Sequence, residues 1–342
     1  MKKLLNTLYV LTPESDLFLR NETIGIRIAG EEKVAVPAVT IDSVVCFGKM
    51  SVSTPLLAFC AEHGISVNLL SERGRYYGHF NGPVSGNVLL RKKQYDSLND
   101  VDFSACLVRD ILYAKIRNSR AVLMRHARTS QNEETSASLY ESAVHLGEYA
   151  QQLTECVSID AMRGIEGVCA STYFSQFDRM LRDGSSGYQF VSRCRRPPAN
   201  EVNAVLSFAY SLLTGEMRAA METVGLDPAA GYLHVLRPGR PSLALDFMEE
   251  LRAPLCDRFT LAMFNKGQLS KKDFETDSHA VYLNDKGRRT VLQGWQKRKF
   301  ETIQHPFLNE KLEIGLIPYV QAMLFARVLR GDLDQYPPFV WR

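Results

Sequence analysis

Three carboxylates crowd one short run of this chain: Asp246, Glu249 and Glu250, in SLALDFMEELR. Leu243, Phe247, Met248 and Leu251 give the run an apolar side, so it reads as a helix with one face turned inward. Side chains three apart on a helix project together, and the carboxylates of Asp246 and Glu249 can therefore share one site. Hard divalent cations prefer oxygen ligands, and Mg2+ held this way keeps positions for water and phosphate oxygens. Such pairs also decorate solvated helix faces, so the spacing alone decides little.

The surroundings add to it. His234 precedes Asp246 by twelve residues, in GYLHVLRPGRP. An imidazole joins carboxylates around Mg2+ or Mn2+, or moves a proton in phosphodiester chemistry. Arg237 and Arg240 lie between the two, on a turn stiffened by Pro238, Gly239 and Pro241, and guanidinium groups bind phosphate bidentately. Glu166 stands between Gly164 and Gly167 with apolar neighbours Ile165, Val168 and Phe174. A carboxylate there needs a cation, a hydrogen-bond donor or solvent, and the flanking glycines let another backbone or a ligand come close.

The elements that must position these residues fall into two groups. From Leu4 to about Gly82 the apolar pattern is short and alternating: Ile24, Ile26 and Ile28 mark one strand, Val34 with Val36 and Val44 to Phe47 others. One helix interrupts them, from Ser53 or Thr54 to His63, ending at Gly64. The run NGPVSGN, residues 81–87, is the expected linker, which divides the chain into a β-rich domain over 1–85 and a larger, mainly α-helical domain over 86–342. The fold class is accordingly α+β. Beyond the linker, helical spacing covers Val101 to His126, Ala137 to Cys156, Ile159 to Leu181, and Asn200 to Thr214 with a proline at its opening. Another helix starts near Leu243, with Pro254 set to kink it or to begin a second one.

At 342 residues, 45% hydrophobic and 23% charged, the chain suits two globular domains. It shows no apolar run of the roughly 20 residues that span a bilayer and no signal-peptide pattern at its start, so no membrane partner is expected and the cytoplasm is the expected location. The seven cysteines are scattered singly, without the CxxC pairs of a zinc or redox site. Net charge is only +3, yet Lys286, Arg288, Arg289, Lys297, Arg298 and Lys299 form a stretch without an acidic residue, a local stripe able to bind phosphates.

GIEG at 164–167, FVSRCRRPPANEVNAVLSFAYSLL at 190–213, YLHVLRPGRPSLALDFMEELRAPLCDR at 232–258 and the later FNKGQL, in this order, resemble the CRISPR-associated adaptation endonuclease and integrase family. The opening YVLTPESDLFLRNETIGI fits the same family, and the ending YPPFVWR resembles its type I-C members. The resemblance implies a homodimer joined through the β domain, and one Mg2+ or Mn2+ site in the helical domain. Its ligands would be Glu166, His234 and Glu249, with Asp246 as a nearby essential carboxylate. The choice among Asp246, Glu249 and Glu250 stays open, because glutamate's extra methylene displaces its carboxylate.

The implied reaction joins short captured fragments of double-stranded DNA to a CRISPR repeat by 3′-hydroxyl attack on a phosphodiester. A small ferredoxin-like CRISPR adaptation protein bridging two dimers is the implied partner. Candidate DNA contacts are Arg193, Arg195 and Arg196, Arg237 and Arg240, Lys266, Lys271 and Lys272, together with the basic stripe. A metal-dependent repair or degradation nuclease, or a catalytically silent DNA-binding scaffold, are the competing readings.

Overall fold

A computed structural model of the chain describes residues 7–341 except 42, 73–75, 81, 83–87, 182–186 and 195–196. The expected linker therefore lies, apart from Gly82, outside the described residues, as do Arg195 and Arg196.

Alternating side chains build the front of the molecule as two four-stranded sheets. One runs β1 (Thr7–Val10), β5 (Ser43–Phe47), β7 (Ser66–Leu70) and β8 (Tyr76–Phe80), with the first three parallel and β8 antiparallel to β7. The other runs β4 (Glu31–Pro37), β3 (Thr23–Ile28), β2 (Ser15–Arg20) and β6 (Ser51–Val52). Helix α1 (Thr54–His63) packs on β2 and β7, and inserts Leu56 and Cys60 among Val10, Leu17, Ile24, Val44 and Val67. It ends as expected at Gly64, whose positive φ of 67° suits a residue without a Cβ. Ile24 and Ile26 are buried as the alternation predicts, whereas β4 is an edge strand that leaves Val34 exposed.

The rest is helical. Its strut is α3 (Val101–Thr129), whose stripe of Leu107, Val108, Ile111, Leu112, Ile116 and Leu123 is buried against α4 (Glu133–Glu155), α5 (Ile159–Ser175) and α7 (Ser242–Leu251). α10 (Ile317–Arg330) packs on α6 (Glu201–Val224) and also carries α2 (Val88–Ser97). Phe47 and Leu70, although on sheet strands, belong to this helical core, and Phe47 meets Phe208 at 5.8 Å between ring centroids.

Three expectations need correction. α6 continues ten residues beyond Thr214, because Met217, Ala220 and Met221 prolong its buried stripe past Gly215. It is opened by the Asn200 side chain accepting from Asn203 N, not by a proline; the Pro198 carbonyl instead accepts from Val281 N. α5 stops at Ser175, and Phe177 and Met180 are buried from a following 3-10 turn. Two hairpins, β9 (Phe274–Asp277) with β10 (Ala280–Leu283) and β11 (Thr302–Gln304) with β12 (Lys311–Glu313), flank α9 (Asp285–Lys299) inside the helical part.

Around Pro254 the α turns give way: residues Arg252–Asp257 form a π turn, beyond which a second helix, α8 (Arg258–Asn265), begins, one of the two outcomes expected of that proline. A proline lacks the amide that an α turn would use, and a widened turn accommodates the loss.

The C-terminal tail closes over the back of α7. Glu250 is fully buried and accepts from Tyr336 Oη (2.6 Å), Gln321 Nε2 (3.0 Å) and Phe339 N (2.9 Å). Asn118 of α3 completes the clamp, donating to the carbonyls of Glu250 and Phe339 and accepting from Trp341 N. Burial pushes the Glu250 carboxyl up to about 7, only partly offset by these donors. A raised carboxyl pKa contributes stability that is complete below the ordinary value of 4.5 and is lost as pH rises through about 7. At about 1.4 kcal/mol per pH unit the loss is roughly 3 kcal/mol. Urea unfolding of the wild type and of Glu250→Gln should therefore diverge between pH 5 and pH 8, the wild type losing more; parallel pH profiles would contradict this assignment.

Candidate active site

Asp246 sits at the base of the site. It is completely buried on α7, where its Oδ2 accepts from Tyr232 N (2.6 Å) and Leu233 N (3.0 Å) and its Oδ1 from His234 N (2.9 Å) and the His234 ring at Nδ1 (2.6 Å). One carboxylate thus gathers three consecutive backbone amides and the imidazole of the same loop. The loop can come this close because of Gly231: a Cβ there would lie 2.5 Å from the Ser242 carbonyl carbon. The helix start is closed by the Pro228 carbonyl, which accepts from Leu243 N and Ala244 N.

With Nδ1 engaged by Asp246, the other ring nitrogen is turned to Glu249; His234 Nε2 lies 3.9 Å from its Oε1. Glu166 approaches from α5. One turn earlier on that helix, Arg163 donates to the carbonyl of Leu233, which ties α5 to the histidine loop. Gly164 and Gly167 beside Glu166 face open space, so no neighbouring backbone of this chain exploits them.

Between the two glutamates stands Lys115 of α3, whose ammonium contacts Glu166 Oε1 and lies 2.8 Å from Glu249 Oε2. Glu249 Oε1 is paired at 2.7 Å with Arg252, the first residue of the π turn. Glu249 Oε2 is buried and is met by the Lys115 ammonium at ion-pair distance. Burial pushes the Glu249 carboxyl up, yet Arg252 and Lys115, with His234, outweigh it and hold it at about 2. Arg252 lies over the Tyr210 ring, 5.1 Å from its centroid, and Tyr210 donates to the buried Asp257 at 2.8 Å. The π turn therefore presents Arg252 to the site while Asp257 anchors its other end.

Of the residues singled out from sequence, His234 is brought onto Asp246 and lies 3.9 Å from Glu249, and Glu249 is linked to Glu166 through the Lys115 ammonium, while Glu250 points to the opposite side of α7, into the tail. Among the described residues no three His, Cys, Asp or Glu side chains are grouped as a ready cation site; the Lys115 ammonium stands between Glu166 and Glu249. The donor set nevertheless fits a divalent ion. Two carboxylates that share one ammonium, and an imidazole nitrogen 3.9 Å from one of them, are the oxygen and nitrogen donors that such an ion takes.

The basic residues divide. Arg237, Lys266, Lys272, Arg289 and Lys297 are exposed, and Arg240 is half-buried on its turn. Lys271 and Lys286 are exposed but paired with Glu201 and Asp273. Arg193 turns inward onto Asn203 and Ser207, Arg288 onto the Leu283 carbonyl, Arg298 onto that of Pro254, and Lys299 onto Glu216. The stripe seen in sequence is thus split by the helical periodicity of α9.

Sequence reasoning missed Lys115, Arg252 and Arg163. For Lys115 a signal existed: it falls three residues after Leu112 and four before Ser119, on the buried stripe of α3, where an ammonium requires a partner.

Fold and site together define a two-part α+β protein whose helical part carries a half-buried carboxylate–histidine centre. The family model for CRISPR associated protein Cas1 matches residues 8–297. A CRISPR-associated endonuclease Cas1 of Moorella thermoacetica is 44% identical over 343 residues, covering all of both chains. This chain belongs to the Cas1 family. Among solved structures, a casposase bound to an integration product shares the fold with a TM-score of 0.83 at 20% identity, over 98% of this chain and 94% of that one. A chain of a Cas6-RT-Cas1–Cas2 complex also reaches 0.83 at 20% identity, over all of this chain and 36% of that one.

The hydrogen-bond pattern separates two kinds of carboxylate. Asp246→Ala would orphan three amides and the His234 ring and should cost about 3–5 kcal/mol in urea unfolding. Glu166→Ala, at a side chain 29% exposed, should cost under about 1 kcal/mol. Equal losses would contradict the positioning role of Asp246.

Proposed function

We propose that this protein is a divalent-metal-dependent DNA endonuclease and integrase that inserts short foreign fragments into a CRISPR repeat array. The observation that carries the reading is the grouping of Glu249 with His234, which Asp246 orients, and, across the Lys115 ammonium, with Glu166. The Moorella relative's name and the fold shared with a casposase on its integration product support the same direction.

Glu166, Glu249 and His234 Nε2 would hold a Mg2+ or Mn2+ ion, which when bound supplies Lewis acidity to a phosphodiester oxygen. Asp246 accepts the Nδ1 proton of His234, which leaves the lone pair on Nε2 toward Glu249, the orientation a ligand nitrogen needs. Arg252 keeps Glu249 ionised and adds fixed positive charge where a five-coordinate phosphorus accumulates negative charge. In the transfer, the oxygen of a 3′ hydroxyl forms a bond to phosphorus, the bond from phosphorus to the departing 3′ oxygen breaks, and the proton passes from the first oxygen to the second. The number of phosphodiester bonds is conserved, so neither a covalent protein nucleophile nor an external energy source is required.

Exposed Arg237, Lys266, Lys272, Arg289 and Lys297 would hold the DNA backbone without reading its sequence. We assign the β domain to a homodimer contact, and a small ferredoxin-like adaptation protein to the bridge between two dimers. The fold shared with a chain from a Cas1–Cas2 assembly supports the second assignment. No helix among the described residues is long and apolar enough to cross a membrane.

Short duplexes with free 3′ hydroxyls and a supercoiled repeat plasmid, with the partner protein supplied, test the reading. Joined products should form with Mg2+ or Mn2+, vanish with EDTA, and fall at least about a hundredfold in His234→Ala. Cutting without joining would indicate a degradative nuclease, and an undiminished variant a DNA-binding scaffold. Replacing Lys266 and Lys272 together by alanine should lower the dependence of log K on log salt by about two. An unchanged salt slope would remove both from the DNA surface.

A further inference from the structure

We propose that Lys115 is a built-in counter-ion that competes with the divalent metal for Glu166 and Glu249, and that its ammonium must withdraw for the ion to bind. The inference rests on the metal-dependent reading above and goes beyond it by assigning a role to a residue of α3.

The charges nearest the two glutamates cancel. Glu166 and Glu249 carry two negative charges, Lys115 and Arg252 two positive ones. A divalent ion held by both glutamates would stand against the ammonium at the place the ammonium fills, and like charges brought together in a largely buried place repel strongly.

Which cation leaves follows from how each is held. Arg252 is stacked on Tyr210 and paired at 2.7 Å with Glu249 Oε1. Its planar group is held between a ring face and a carboxylate oxygen that Lys115 does not touch. Lys115 ends in a compact ammonium on a flexible four-carbon stem. Its ion-pair partners among the described residues are the two glutamates themselves. Its ammonium spans Glu166 Oε1 and Glu249 Oε2, so an ion that coordinates both carboxylates takes the place it fills.

A lysine that merely props the glutamates in place would make a different prediction. Its removal would loosen the ligands and weaken metal binding. A competitor's removal tightens it, because the metal no longer displaces a bound charge.

Mn2+ titration of the full-length protein, followed by calorimetry or by the electron paramagnetic resonance of free Mn2+, decides between them. Lys115→Gln should bind Mn2+ at least about tenfold more tightly than the wild type, and its melting temperature in EDTA should fall while the rise on adding Mn2+ grows. Equal or weaker binding in the variant, with saturable binding in the wild type, overturns the competition and leaves the metal reading standing. No saturable binding in either chain overturns both. The wild type supplies a measurement independent of the variant's folding: acetylation of Lys115, followed by peptide mass spectrometry, should rise severalfold at saturating Mg2+ relative to that of the exposed Lys266. Unchanged relative labelling overturns the inference.

Discussion

Three ionisable carboxyls on one buried helix face a constraint that shapes everything around them: none can be charged inside a protein without a donor or a cation at hand. Each is answered differently. Asp246 is met by three loop amides and an imidazole, Glu249 by an ammonium and a guanidinium, and Glu250 by a phenol, an amide side chain and a backbone N–H. The first answer orients a histidine, the second concentrates charge, and the third fastens the end of the chain.

The fold brings those answers to α7 from remote parts of the sequence. α3 runs behind the helix and delivers Lys115 to one side and Asn118 to the other. α5 carries both Glu166 and the arginine that holds the histidine loop. The π turn at Pro254 allows Arg252 to reach back to Glu249 while Asp257 reaches Tyr210. The tail beyond Leu333 grips Glu250 and so fixes the rear of the same helix. Function and stability here share residues one position apart, Glu249 and Glu250, facing opposite ways.

Much of this was legible from sequence where periodicity and residue type speak locally. Alternating isoleucines and the capped α1 identify the β part, and four ordered motifs identify the family and its carboxylates and histidine. What stayed hidden depends on distance in the chain. Spacing could not choose among Asp246, Glu249 and Glu250, because the choice is made by which neighbours fold against each face of α7. Lys115 lies inside an ordinary apolar stripe, and its partners are 51 residues away for Glu166 and further for Glu249. The basic run over 286–299 reads as one stripe in sequence, yet α9 turns Arg288, Arg298 and Lys299 into the packing and leaves Arg289 and Lys297 outside. The proline pair before α6 resembled a helix opening, and Asn200 held that place instead.

The central claim is that Glu166, His234 and Glu249 form one divalent-ion site, with Asp246 setting the histidine and Glu250 excluded. A crystal of the protein soaked in Mn2+ and measured at the manganese absorption edge tests it most directly. The account predicts one strong anomalous peak within coordinating distance, about 2.0–2.4 Å, of a Glu166 oxygen, a Glu249 oxygen and His234 Nε2. A peak bound through Asp246 or Glu250 instead, or no peak near these side chains, would contradict it.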